Sequence, residues 1–314
     1  MISERFFIGR PPADSVFQTS LGRMLVGRSE ELLSRPPQQR LKGKVQLVFT
    51  SPPFPLNRKK RYGNEEGEAY KEWLADFGPL FREYLSDSGS LAMEMGNAWV
   101  PGEPAMSTLA LESLLALKER GDFHLCQEFV WYNPARLPSP AQWVNVERIR
   151  VKDSFTRLWW LSATTRPKAD NRRVLVEYSD SMKRLLRTRK YNAGERPSEH
   201  NIGEESFLCD HGGAIPPNVI TAANTRSNTR YRQYCADHGL EIHPARMPRE
   251  LPSFFIRFLT EPGDLVLDPF AGSNTTGQIA EELGRQWLAI EAEPGYTRGA
   301  IGRFERVTRL GRGR

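Results

Sequence analysis

Two short apolar stretches, Val45-Gln-Leu-Val-Phe-Thr50 and Asp264-Leu-Val-Leu-Asp268, each run straight into a loop built on proline or glycine. Apolar character sustained over five or six residues and closed by a turn predicts a strand buried on both faces of a parallel sheet. Parallel strands require crossovers, and the sequence between them supplies helices. Residues 68–86 carry Tyr70, Trp73, Leu74, Phe77, Phe81 and Tyr84 at helical spacing, and these aromatics read as core rather than as cofactor contacts. Ser90-Leu-Ala-Met-Glu-Met95 reads as the next strand and 105–120 as the next helix, stopped by Gly121. Apolar segments follow at 125–132 and 155–163. The periodicity fades from about 165 to 240, where Gly212-Gly213, Pro216-Pro217 and Asn/Thr/Ser runs indicate an inserted, loop-rich region. Order returns with a helix over 251–260, the strand 264–268, a helix over 275–283 and a strand over 286–291. Strands alternating with helices predict an α/β fold with a doubly wound parallel sheet. The expected divisions are 1–164, an inserted region 165–240, and 241–314.

Composition excludes several classes. Hydrophobic residues make up 39% and charged residues 26% of the 314, an ordinary globular balance. Apolar runs are strand-sized, so no membrane span is expected, and no secretory h-region follows Met1, which makes the cytoplasm the expected compartment. Cys126, Cys209 and Cys235 are odd in number and widely spaced, without a zinc-like Cys/His pattern, so neither disulfides nor a metal is expected. Net charge is +6, and part of the excess is local. Arg58, Lys59, Lys60 and Arg61 form one cluster; Lys183, Arg184 and Arg187 belong to a second; Arg226 and Arg230 belong to a third. Tyrosines lie among or beside these clusters, a pattern suited to phosphate contacts and base stacking, although a solvated basic surface reads the same way.

Two loop motifs carry the chemistry. The first contains Asp268, Pro269, Phe270, Gly272, Ser273, Asn274, Thr275 and Thr276, between a strand and a helix. Gly272 lets the backbone approach a ligand closely, and Asn274 is among the few non-glycine residues that tolerate a positive φ. Glu291 ends the next strand, 23 positions after Asp268 (291 − 268). An acidic residue at such a spacing is how ribose hydroxyls are commonly held. With no GxGxxG and no GxxxxGK[ST], the site suits a nucleoside cofactor without pyrophosphate; the alternative is a tight turn with no ligand.

The second motif is Ser51, Pro52, Pro53 and Phe54, directly after a strand. Prolines donate no N–H, so their carbonyls become stiffly aimed acceptors. With the Ser51 hydroxyl and the flat face of Phe54, they form a pocket for an –NH2 group on an aromatic ring, which is what an extruded nucleobase presents. The plain alternative is a rigid loop start. Glu94 interrupts an apolar strand, so it is either paired and functional near the donor or exposed to water on an edge strand.

These residues resemble the amino-methyltransferases of bacterial restriction–modification systems, in the permuted class where the catalytic motif precedes the cofactor motif. Ser51 to Phe54 is similar to the [D/N/S]-P-P-[Y/F/W] tetrapeptide that holds the target base, in the form typical of the cytosine-N4 branch. Residues 268–276 resemble the turn that binds S-adenosylmethionine (SAM), Glu291 falls on its ribose-binding acid, and His243 to Pro248 looks like the segment that helps hold the methionine end. Further likeness to the PvuII-type enzymes runs through 57–64, 133–140 and 224–228. Two departures are Asn274, where a second glycine is commoner, and Glu94, where similar enzymes have aspartate.

The resemblance implies a circularly permuted, Rossmann-like methyltransferase fold with a target-recognition region at 165–240. It also implies SAM as cofactor with S-adenosylhomocysteine as product, and double-stranded DNA as substrate. A partner endonuclease acting on the same site, and a monomer or homodimer in a bacterial cytoplasm, follow from the same likeness. In that picture Ser51 Oγ and the Pro52 carbonyl accept from the amino group, Phe54 stacks on the flipped base, and no cysteine forms a covalent intermediate. Adenine-N6 is the nearest competing target, since both amino groups fit one acceptor pair. An inactive SAM-binding DNA adaptor is a competitor from another class.

Overall fold

The computed structural model describes residues 6–7, 11–54, 67–190, 194–195, 201–203, 205, 207–224 and 229–310. They form two compact units, Met1–Ala169 with Asn218–Arg314, and Asp170–Pro217. Numbered along the chain, the strands are β1 (Ser15–Gln18), β2 (Gly22–Val26), β3 (Val45–Thr50), β4 (Leu85–Met95), β5 (His124–Tyr132) and β6 (Phe155–Ser162), then β7 (Gly194–Glu195), β8 (Asn201–Ile202), β9 (Val219–Thr221), β10 (Leu265–Asp268), β11 (Gln286–Glu291) and β12 (Thr308–Arg309). The helices are α1 (Ser29–Leu33), α2 (Pro36–Gln39), α3 (Gly67–Tyr84), α4 (Leu109–Arg120), α5 (Asp180–Thr188), α6 (Thr229–Asp237), α7 (Glu250–Leu259), α8 (Thr275–Glu282) and α9 (Pro294–Ala300). None of the described helices is long and apolar enough to cross a membrane.

The larger unit is built on one ten-stranded sheet in the order β12-β1-β2-β11-β10-β3-β4-β6-β5-β9. Its centre, β2-β11-β10-β3-β4, is wholly parallel. From β3 the chain winds outward to β4, and from β10 it winds the opposite way to β11. The reversal between the neighbours β10 and β3 is the point where an open α/β sheet leaves a crevice. Alternate strand residues face two separate cores. Leu265, Leu267 and Leu91 join Leu74 and Phe81 of α3 and Leu117 of α4. Val266, Phe49 and Ala92 join Phe255 of α7 and Ile279 of α8. Both faces are covered, so a register slip of one residue would send each strand's side chains to the wrong core.

In the smaller unit β7 pairs with β8, and Val176 bridges Ala214. Ser179 caps α5, its Oγ accepting from the Met182 N–H at 3.3 Å. Of the segment 165–240, β9 and α6 belong to the larger unit; β9 adds a parallel strand beside β5.

One local expectation needs correction, and one pair of strands lay outside the expectations. The helix expected at 105 begins at Leu109. It ends as expected at Arg120 with Gly121 as its cap, although Gly121 has φ −87° and the left-handed residue is the next one, Asp122 (φ 51°). Gly121 is required by packing instead, since a Cβ there would meet the Phe123 ring at 2.5 Å. The pair β1 and β2 was not foreseen, because the buried Arg23 and a glycine break the apolar pattern of so short a strand; Gly22 lies flat on the Trp287 ring.

The contact between α3 and α4 is equally close. A Cβ on Gly78 would lie 2.7 Å from the Leu117 carbonyl oxygen and 2.8 Å from the Gly121 nitrogen. Gly78→Ala is therefore expected to lower stability by roughly 1–3 kcal/mol in urea unfolding, although alanine is the better helix former by about 1 kcal/mol.

Candidate active site

Along the parallel centre of the sheet, the carboxyl ends come in the order Gly27 beyond β2, Glu291 on β11, Asp268 on β10, Ser51 beyond β3, and Glu94 on β4. All five line one cavity of about 840 Å³, within the size range of small-molecule and cofactor sites. Two loops more than 200 residues apart in sequence meet here because their strands are neighbours in the sheet.

Asp268 joins the loops. Its Oδ1 accepts from Thr50 Oγ1 at 2.8 Å and from the Phe270 N–H at 3.2 Å, and its Oδ2 accepts from Thr276 Oγ1 at 2.6 Å. Burial pushes this carboxyl up to about 6, against the pull of those donors. The loop that follows bends through two left-handed residues, Gly272 (φ 51°) and Asn274 (φ 58°), as the sequence predicts. Gly272 has a second constraint, since a Cβ would lie 2.9 Å from His243 Nε2. Its N–H donates to Glu291 Oε2 at 2.8 Å, while Glu291 Oε1 accepts from the Glu293 N–H at 2.9 Å. Burial raises the Glu291 carboxyl. The His243 ring packs edge-on against Tyr296, with centroids 4.4 Å apart.

At the other end of the cavity the Ser51 hydroxyl donates to Glu94 Oε2 at 2.5 Å. Glu94 is 4% exposed on an interior strand between β3 and β6, so the reading of a water-exposed edge glutamate is excluded. Burial lifts its carboxyl to about 7, although the Ser51 hydroxyl and the charge of Arg136 pull it down. Because Ser51 gives its proton to Glu94, the oxygen lone pairs remain as acceptors. Phe54 lies over Gly96, where a Cβ would meet its ring at 2.8 Å. Pro52 and Pro53 complete this wall.

Of the motif residues, Ser273, Thr275, Thr276, Pro269 and Phe270 line the cavity. Asn274 and Pro248 do not. Asn274 is fully buried and caps α8, its Oδ1 accepting from the Gly277 N–H at 2.9 Å. The Pro248 carbonyl accepts from the Leu251 N–H at 3.3 Å, which starts α7. Both shape the wall from behind.

The proposed DNA contacts divide similarly. Arg58, Lys59, Lys60, Arg61 and Arg226 lie outside the described residues. Lys183, Arg184 and Arg187 are exposed on α5 of the smaller unit, with Lys183 paired to Glu177. Arg230 is partly committed elsewhere: it donates to the Phe304 carbonyl at 3.0 Å and lies 3.6 Å from Glu305.

Several cavity residues escaped the sequence reading. Tyr70 and Trp73, assigned to the core by spacing, also face the cavity. The buried Tyr70 hydroxyl and Arg246 Nε have no hydrogen-bond partner among the described residues. The loop Gly27 to Glu30 adds a third edge, fixed by the Gly27 N–H to the Glu291 carbonyl at 2.9 Å. Arg303, 4% exposed, does not line the cavity but braces the loop beside it: it donates to Ser273 Oγ at 2.6 Å and to Gln278 Oε1 at 3.0 Å, and burial lowers its guanidinium to about 10. Arg246 lies within the segment His243 to Pro248 already singled out; no local pattern marks Tyr70, Trp73 or the loop Gly27 to Glu30 as cavity residues, and only the fold brings them there.

A family model described as "DNA methylase" (N6_N4_Mtase) matches residues 45–302. The chain is 44% identical over 298 residues to the type II methyltransferase M.PvuII of Proteus hauseri, covering 94% of this chain and 86% of that protein. A solved PvuII DNA methyltransferase (cytosine-N4-specific) superposes with a TM-score of 0.73 at 39% identity, over 92% of this chain and 88% of that one. A DNA modification methylase of Thermus thermophilus, solved with SAM, shares the fold with a TM-score of 0.53 at 19% identity, over 89% of this chain and 91% of that one. On the family match and the identity with M.PvuII, the chain belongs to the N6_N4_Mtase family of DNA methylases.

Proposed function

We propose that the protein transfers a methyl group from SAM to N4 of a cytosine turned out of double-stranded DNA, as the modification partner of an endonuclease of the same site. The observation that carries this reading is the Ser51–Glu94 hydrogen bond, set beside Phe54 in the cavity that also holds Gly272 and Glu291. The orphaned Tyr70 hydroxyl and Arg246 Nε, and the close approach of Gly272 to His243, fit a polar nucleoside ligand at that rim. SAM, when bound, supplies an electrophilic methyl on a sulfonium.

The amino nitrogen of cytosine is a weak nucleophile, because its lone pair is spread into the ring. Ser51 Oγ, its own hydrogen engaged in the hydrogen bond to Glu94, accepts from one amino N–H, and the Pro52 carbonyl accepts from the other. These bonds strengthen as positive charge develops on the nitrogen, so they favour the transition state over the ground state. Ionised Glu94 makes Ser51 a better acceptor and takes up the proton that the amine sheds through the hydroxyl. Phe54 fixes the plane of the base. Glu291 would hold the ribose hydroxyls of SAM, and the Gly272 and Glu293 N–H groups keep its carboxylate oriented. Choice of DNA sequence is assigned to the region 165–240, with Arg184 and Arg187 as exposed contacts.

DNA from cells expressing the protein is expected to contain N4-methylcytosine, read by mass spectrometry of nucleosides; N6-methyladenine would overturn the target assignment. Ser51→Ala should lower turnover by about 100-fold or more while leaving SAM affinity within about twofold.

The Glu94 carboxyl sits above its ordinary value, so the folded protein holds that proton more tightly than the unfolded chain, and the carboxylate costs stability as pH rises through about 7. Turnover of the unsubstituted enzyme should rise over the same window. Glu94→Gln is expected to abolish that rise and to stabilise the protein at pH 8 by up to roughly 3 kcal/mol, with little gain at pH 5, in paired rate and melting measurements.

Arg246 offers a cation for the methionine carboxylate. Arg246→Gln should therefore weaken binding of S-adenosylhomocysteine by about tenfold or more, and leave methylthioadenosine, which lacks that carboxylate, unaffected in calorimetric titration.

A further inference from the structure

The connection between β5 and β6, residues 133–154, forms part of the cavity wall and holds four exposed aliphatic side chains. Val151 is 88% exposed, Leu137 79%, Val146 68% and Ile149 48%, and the first two are the most exposed large apolar residues among those described. Leu137 is unusual in also lining the cavity. It stands at the mouth, one residue from Arg136, whose charge acts on Glu94.

A leucine so placed would be costly to leave in water without a use, and its backbone is held firmly. The Ala135 N–H donates to Asn133 Oδ1 at 3.1 Å, and the Arg136 N–H donates to the Asn133 carbonyl at 3.2 Å. Arg136 Nη1 donates to the Phe155 carbonyl at 3.1 Å. On the far side the Asp153 N–H donates to the Ser139 carbonyl at 2.9 Å, which ties the returning segment of the loop to the one that carries Leu137. Pro138 follows Leu137 directly and stiffens the chain. The loop is also basic: Arg148, Arg150 and Lys152 are exposed, against Glu147 and an Asp153 already bonded to Asn97.

Apolar tips among cations, beside a pocket for a base, match one occupant: a duplex whose phosphates meet the cations while an aliphatic side chain enters the base stack. Resting on the reading that the cavity receives a turned-out cytosine, we propose that Leu137 is a positioning residue that occupies the space the base vacates. Leu137 makes no contact with the reacting atoms. It acts on the equilibrium between stacked and turned-out base, because the vacated gap, filled by an aliphatic group, no longer favours return of the base. The cations at 148–152 hold the duplex over the wedge, and the pinned backbone keeps the leucine from folding back into the cavity.

The test uses the full chain and two versions of the DNA duplex in which methylation is mapped. In one the target cytosine faces guanine; in the other it faces an abasic site, which removes the pairing that opposes extrusion. Leu137→Ala is expected to lower the single-turnover methylation rate on the paired duplex by about tenfold or more, and to fall within about threefold of the unsubstituted protein on the abasic duplex. Affinity for S-adenosylhomocysteine should be unchanged, and Leu137→Met should keep most of the rate on both. An equal loss on the two duplexes, a loss of cofactor affinity, or no loss on either would overturn the wedge. If the unsubstituted protein methylates neither duplex, the proposed function itself fails, independently of Leu137.

Discussion

A single buried carboxylate, Asp268, accepts from Thr50 at the end of β3 and from Thr276 in the first turn of α8. Those two donors lie more than 200 residues apart in sequence, so this one side chain fixes the loop Ser51 to Phe54 relative to the loop that follows β10. The bonds also explain why a charge-bearing group is tolerated at 5% exposure: three donors offset much of the desolvation cost. Everything at the rim inherits its position from this junction. Ser51 follows Thr50 directly, and Gly272 follows Asp268 by four residues (272 − 268).

The site concentrates groups that make folding harder. Glu94, Asp268 and Glu291 lie on three strands of one rim, and burial raises all three carboxyls. Mutual repulsion contributes as well, since Glu291 pushes Asp268 upward. A sheet optimised for stability alone would place apolar residues there. On the proposed function the arrangement has a use: a carboxylate that titrates near neutrality, bonded to a serine hydroxyl, would suit an amine that must lose a proton at physiological pH.

On the proposed function, recognition of DNA would fall to different material from that of chemistry. The rim is set by parallel strands and short turns, whereas exposed cations stand on the loop 133–154 and, in the smaller unit, on the helix α5. Such a division lets the reacting groups stay fixed while loops vary in what they read.

The sequence alone determined the strand-and-helix alternation, the left-handed pair Gly272 and Asn274, and the two loop motifs at strand ends. These follow from local rules: apolar period, the lack of a Cβ, and the absent N–H of proline. It also assigned every aromatic of α3 to the core, whereas Tyr70 and Trp73 also face the cavity, because periodicity tells which side of a helix is buried but not what is missing from the space beside it. The burial of Glu94, the structural duty of Asn274, and the places of Arg303 and Gly27 required the tertiary structure. Each depends on which strand lies next to which, and strand order is decided by the packing of two cores on opposite faces of the sheet rather than by any stretch of neighbouring residues.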